Sequence, residues 1–99
     1  MVRFTADTAV AYGRHGVRAN AIAPGHIYTP LVANQDVEAR EARRKVAPLG
    51  IEGTAWDVAW AALYLAGDEA RFVTGACIPV DGGVTQISPL AASRLVNAP

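Results

Sequence analysis

Gly16-Val17-Arg18-Ala19-Asn20-Ala21-Ile22-Ala23-Pro24-Gly25-His26-Ile27-Tyr28-Thr29-Pro30 is the stretch on which the fold turns. Residues 17–23 are small and mostly apolar, the composition of a strand covered on both faces. Pro24-Gly25 ends that strand in a tight turn. Thr29 then offers a capping side chain and Pro30 a first-turn proline, so the spacing predicts a helix starting there. Upstream, Phe4, Ala9 and Val10 recur at helical spacing across 2–15, with Gly13 and Gly16 as stops. No capping residue precedes that helix, which suggests that its first turns lie outside this sequence. Downstream, 31–46 reads as a polar, exposed, moderately helical segment, broken by Pro48-Leu49-Gly50. Thr54 and Asp57 form a capping-box pattern in front of a helix over 55–66 that is apolar nearly all round. A last strand is expected over 76–80, with Asp81-Gly82-Gly83 turning out of it, and 84–99 reads as a loosely ordered tail.

The order is helix, strand, helix, helix, strand. Strands separated by helices imply a parallel, right-handed crossover and an α/β class. Two parallel strands do not make a stable sheet alone, and a strand over 17–23 would carry an open apolar edge. On these grounds the chain reads as the end of a larger doubly wound domain.

Ninety-nine residues allow one domain at most, and 52% hydrophobic against 18% charged is apolar for that length. The excess points to apolar surface covered by something beyond the chain's own core. A formal net charge of zero removes the electrostatic argument for nucleic acid. The apolar run Val58–Ala66 is far short of a membrane span, and Arg3, Asp7 and Arg14 interrupt any signal-peptide pattern. The lone Cys77 excludes an internal disulfide and a cysteine-based metal site, so a reducing compartment, the cytoplasm, is expected. Arg40, Arg43, Arg44 and Lys45 interleave with Glu38 and Glu41 and read as a solvated helix face. His15 and His26 lack metal-ligand spacing, so no metal is expected.

Four pieces occur in one order: Thr5 to Gly13; Val17 to Pro30; Pro48-Leu49-Gly50 with Gly53-Thr54 and Asp57-Val58-Ala59; and Phe72-Val73-Thr74-Gly75 with Val80-Asp81-Gly82-Gly83. Together they resemble the C-terminal part of a short-chain dehydrogenase/reductase, over residues 5–83 and less than half of a typical member. The resemblance implies the C-terminal portion of a Rossmann-like doubly wound parallel sheet. It also implies reversible hydride transfer between NAD or NADP and a carbonyl or alcohol substrate.

By the same resemblance Pro24, Gly25, Ile27 and Thr29 are expected on the nicotinamide side. Gly25 would let backbone approach the ring, the Ile27 backbone would meet the carboxamide, and Thr29 would hydrogen-bond the carboxamide or pyrophosphate. Residues 31–50 would be a substrate lid. Trp56, Trp60 and the final strand would be contact surface in a homo-oligomer. Ile51 departs from the pattern, where many relatives carry Arg.

The Gly-rich phosphate loop, the Tyr-x-x-x-Lys pair and the upstream Ser of such enzymes have no counterpart in this sequence. Tyr12, Tyr28 and Tyr64 each lack a Lys four residues on. No catalytic residue is therefore expected here, and the chain alone is expected to be inactive. Aligned this way, the family's lysine would fall just before Met1. His26 and Tyr28 sit at loop positions that vary in the pattern, with no neighbouring carboxylate to orient the ring, so they are expected on the substrate side and not as a base. A reading of another class is a truncated interaction module that pairs with a full-length subunit.

Overall fold

The computed structural model describes residues 1–32 and 34–98. Ala33, inside the expected polar segment 31–46, and Pro99, at the end of the expected tail, lie outside the described residues. The helix α1 (Val2–Tyr12) stops in a 3-10 turn, Gly13–His15. Gly16 closes that turn at φ 78°, a left-handed conformation in which glycine has no Cβ penalty.

The strand β1 (Ala21–Pro24) is shorter than the expected 17–23, because Arg18, Ala19 and Asn20 are occupied elsewhere. The Asn20 amide donates to Val73 O at 2.9 Å, and its carbonyl accepts from Ala76 N–H at 3.0 Å. Arg18 Nη1 donates to Val73 O at 3.2 Å, and Ala19 N–H to the Thr74 hydroxyl at 3.1 Å. These bonds clamp the start of β1 to the Phe72–Gly75 turn and thereby set the register of β4 (Cys77–Val80). β1 and β4 run parallel, Ala21 opposite Cys77 through Pro24 opposite Val80.

After the Pro-Gly turn comes a second, two-residue strand, β2 (Ile27–Tyr28), parallel to β3 (Gly53–Thr54), and the sequence reading had neither. The helix expected at Thr29-Pro30 is a single 3-10 turn, Pro30–Val32. The α-helix begins later, as α2 (Val37–Val46), where Asp36 accepts from Ala39 N–H at 2.7 Å. Asp36 thus wins the cap over Thr29, since its carboxylate favours a helix start by charge as well as by hydrogen bond.

The helix α3 (Ala55–Ala66) is where the capping pattern placed it, with Asp57 Oδ2 accepting from Thr54 N–H at 2.7 Å. Its all-round apolar sequence is not buried all round. Leu65 is buried, whereas Trp56 and Trp60 are 69% and 62% exposed. Residues 84–98 correct the expectation of a loose tail. A 3-10 turn, Val84–Gln86, leads to α4 (Pro89–Val96), capped by Ser88 accepting from Ala91 N–H at 3.2 Å. α4 packs on α2, and Lys45 Nζ donates to Ala98 O at 2.9 Å.

Among the described residues the buried apolar side chains are Ala9, Ala47, Leu65 and Ala70, and no large side chain is fully buried. The radius of gyration is 16.3 Å, against about 13 Å for a compact chain of about 100 residues. Elements of a doubly wound α/β layer are therefore present with little of a core between them. Among the described residues no helix is long and apolar enough to cross a membrane.

Candidate functional site

β1 and β4 both end at the same level, Pro24 opposite Val80, and the 25–29 loop leaves from that carboxyl end. In open α/β sheets this edge is where ligands bind, because strand ends and the loops beyond them form a crevice there. Gly25 N–H donates to Val80 O at 2.9 Å, which folds the loop across β4. A Cβ on Gly25 would lie 2.6 Å from Asp81 Cβ and 2.7 Å from Asp81 Cα. The glycine is thus required by the neighbouring main chain of Asp81, a reason the sequence reading did not have.

The parallel register of β2 and β3 directs the His26 carbonyl to β3, where it accepts from Gly53 N–H at 2.9 Å. Alternation along a strand then turns the Ile27 amide and carbonyl to the opposite side. On that side Arg43 Nη2 lies 3.5 Å from Ile27 O. Thr29 is half-buried at the start of the 3-10 turn, its carbonyl accepting from Val32 N–H at 3.0 Å. A turn this short has little of the summed dipole that would favour a phosphate at a helix start.

A network that the sequence reading missed ties the expected lid to this loop. Glu52, whose side chain is 11% exposed, accepts from Arg40 Nη2 at 3.1 Å and from Arg43 Nε at 3.2 Å. Arg40 also stacks over the Tyr28 ring at 3.9 Å, a cation–π contact. His26 Nδ1 lies 3.2 Å from Arg43 O. Each of His26, Ile27 and Tyr28 therefore touches α2. Burial pushes the Glu52 carboxyl up, but the Arg43 and Arg40 guanidiniums together outweigh that and hold it below its usual 4.5. The expected solvated face is real for Arg44, which pairs with Glu41 at 2.9 Å, but Arg43 is only 21% exposed. The signal in the sequence was the three-residue spacing of Arg40 and Arg43, which puts both on one face. Their partner comes from the segment beyond the helix.

Behind the loop lies a cavity of about 560 Å³. Ile27 lines it with His26, Leu49, Ile51, Val80 and Asp81, whereas Pro24, Gly25 and Thr29 do not. The Asp81 carboxylate accepts from the Thr85 hydroxyl at 2.8 Å and from Gly83 N–H at 2.9 Å, and both bonds hold its pKa below the usual value. Gly82 and Gly83 have φ 64° and 95° there, and a Cβ on either would press on Ala47 or Pro48. Among the described residues no three His, Cys, Asp or Glu side chains gather as a metal site.

Comparison with known proteins gives the same frame. A family model described as enoyl-(acyl carrier protein) reductase matches residues 1–85. The chain is 47% identical over 83 residues to 3beta-hydroxysteroid dehydrogenase 1 of Eggerthella lenta, covering 82% of this chain and 32% of that protein. It is 40% identical over 87 residues to cis-4-hydroxycyclohexanecarboxylate dehydrogenase of Sinomonas cyclohexanicum, covering 88% and 35%. It thus spans about a third of the length of the curated relatives it matches. A crystal structure of an oxidoreductase of the short-chain dehydrogenase/reductase family from Burkholderia thailandensis superposes with a TM-score of 0.83 at 40% identity, over 95% of this chain and 38% of that one. With parallel strands ending in a Pro-Gly loop, a match along nearly its whole length and relatives that are dehydrogenases, the chain belongs to the short-chain dehydrogenase/reductase family.

Proposed function

We propose that this chain supplies the nicotinamide-side loop, the substrate lid and the subunit contacts of an NAD- or NADP-dependent oxidoreductase acting on a carbonyl or alcohol. The observation that carries this reading is the Ile27 main chain. It faces away from β3, beyond the carboxyl ends of β1 and β4 and beside the cavity. Its amide and carbonyl suit a primary carboxamide, which both donates and accepts. When bound, the nicotinamide supplies the hydride chemistry, and the protein supplies placement. Ile27 orients the carboxamide, and Pro24-Gly25 sets the loop's exit from the sheet. Thr29 adds a hydroxyl at the loop's far end, and α2 shields the site from water. The acid/base residues of the reaction come from sequence outside this chain, which holds none of the Ser, Tyr and Lys set.

The test is a chimera in which this chain replaces the matched third of the Eggerthella lenta dehydrogenase. NAD(P)-dependent alcohol oxidation is expected in the chimera, with Thr29→Ala weakening cofactor affinity by about fivefold, one hydrogen bond's worth. The 99-residue chain alone is expected to show no turnover. Carbonyl reduction by the isolated chain, or a folded chimera that binds no dinucleotide, overturns the reading.

A second reading is favoured by one observation, the exposed Trp56–Trp60 pair with ring centroids 6.0 Å apart. In it the chain is an interaction module that pairs with a full-length subunit through that surface. Capture from the native cell with the tagged chain is expected to recover a dehydrogenase. Recovery of none counts against it.

A further inference from the structure

Arg43 meets the loop on both sides of the Ile27 α-carbon. Its main-chain carbonyl lies 3.2 Å from His26 Nδ1, and its Nη2 lies 3.5 Å from Ile27 O. The next residue, Tyr28, has its ring under the Arg40 guanidinium at 3.9 Å. Both arginines stand on α2, and the helix alone does not aim them, because a long side chain keeps its rotamer freedom until something holds its far end. Glu52 holds both ends. Its Oε1 accepts from Arg40 Nη2 at 3.1 Å and its Oε2 from Arg43 Nε at 3.2 Å. Nε lies at the root of a planar group, so a bond there sets the plane and with it the direction of Nη2. The Glu52 carboxylate thereby turns the Arg43 fork toward Ile27 O.

The two peptide units that flank Ile27 are held separately. The one before it is held by β3, where Gly53 N–H donates to His26 O at 2.9 Å. The one after it has Arg43 Nη2 at Ile27 O. A carbonyl oxygen has two lone pairs, so Ile27 O keeps one for a ligand. Its direction is set by Arg43, and Arg43 is set by Glu52. The exposed pair on the same helix does nothing of the kind. Glu41 takes Arg44 Nη2 at 2.9 Å, and neither side chain hydrogen-bonds residues 26–28 among the described residues.

We propose that Glu52 is a positioning residue for the nicotinamide, fixing through Arg43 the orientation of the Ile27 carbonyl that receives the carboxamide. This rests on the oxidoreductase reading above and adds to it the residue that holds the loop in place. Glu52 itself touches neither cofactor nor substrate.

The test uses the chimera of this chain with the rest of the Eggerthella lenta dehydrogenase. Calorimetry measures its affinity for NADH or NADPH, whichever the parent binds more tightly, and for the corresponding ADP-ribose, which lacks the nicotinamide. Glu52→Ala is expected to weaken dinucleotide binding by about fivefold and to leave ADP-ribose binding within about twofold of the parent. A role in stability alone would not separate the two ligands. Glu52→Gln keeps one acceptor oxygen for two guanidiniums and is expected to fall between parent and Glu52→Ala. Arg43→Lys keeps the charge but loses the fork that spans Glu52 and Ile27 O, and a loss like that of Glu52→Ala is expected. The double variant is expected to lose no more than the larger single, because both substitutions release the same grip. Glu41→Gln is expected to bind both ligands as the parent does. Near-ultraviolet circular dichroism shows which variants are folded, and should Glu52→Ala not fold, Glu52→Gln and Arg43→Lys carry the same comparison. Equal losses for dinucleotide and ADP-ribose, additive losses in the double variant, or a Glu41→Gln loss as large as that of Glu52→Ala overturns the proposal. A folded Glu52→Ala that binds dinucleotide as tightly as a binding parent sinks this proposal and leaves the oxidoreductase reading standing, whereas a parent that binds none sinks both.

Discussion

Around residues 26–28, several side chains are met from within the chain: the His26 ring by Arg43 O, Tyr28 by Arg40, and both arginines by Glu52. Along α3 the reverse holds. Trp56, Trp60 and Leu63 form a stripe at helical spacing and stay exposed, as do Phe4 and Val10 on α1. The two faces differ in what completes them. Directional bonds at the loop are closed by residues a short way along the same chain, whereas the helix face has apolar area and nothing of its own to set against it. A loop whose side chains are tied down locally, in a chain whose helix face is left uncovered, is the arrangement expected when the site's geometry is built locally and apolar area awaits cover from elsewhere.

Substitutions can break or sharpen that contrast. The largest effect is expected at Gly25→Ala, because the new methyl meets the main chain of Asp81, which cannot turn aside. Urea denaturation should show a loss of about 3 kcal/mol. A loss below about 1 kcal/mol would mean that the loop and β4 are not held together as described. Asn20→Ala comes next. It strips the Ala76 amide of its acceptor at the start of β4, and a loss of about 2 kcal/mol is expected by the same measurement.

Glu52→Gln is expected to cost about 1 kcal/mol, since Arg40 keeps much of its solvation at the surface. Its clearer signature is in pH. The Glu52 carboxyl sits below its usual 4.5 in the folded chain, so its contribution is present above that value and disappears as pH falls through the lowered one. Stability against pH, followed by circular dichroism, should lose part of its acid slope in Glu52→Gln. An unchanged slope would remove Glu52 from the network. The smallest effect is expected from Trp56→Glu with Trp60→Glu, within about 0.5 kcal/mol of the parent, together with reduced light scattering at high concentration. A loss above about 1 kcal/mol would show that the stripe is packed inside the chain after all.

The sequence was most legible where one neighbourhood of the chain decides the outcome. Thr54 and Asp57 announce α3, Pro24-Gly25 ends β1, and Gly16 takes the left-handed turn after α1. It was less legible at Thr29-Pro30, where two valid start signals competed and the charged cap at Asp36 took the helix. Ser88-Pro89 is a cap and first-turn proline of the same kind, and it went unread because little periodicity followed it. The candidate site divided in the same way. The loop containing Ile27 was singled out through the family resemblance, whereas the network fixing it was not read at all, because Arg40 and Arg43 had acidic neighbours close in sequence that offered a simpler pairing.

By itself, then, the sequence determined the α/β order, the position of the loop at the end of β1, the start of α3 and the family. The first three rest on propensities and spacings within a few residues, where backbone sterics and capping bonds act, and the family on the resemblance of four pieces in one order over residues 5–83. Only the tertiary structure decided that Gly25 answers to Asp81, that Glu52 gathers both arginines, that β2 pairs with β3, and that the tryptophans stay outside. Those outcomes depend on which distant atoms arrive within contact distance and on how much apolar area remains once they have, and neither is fixed until the chain is folded.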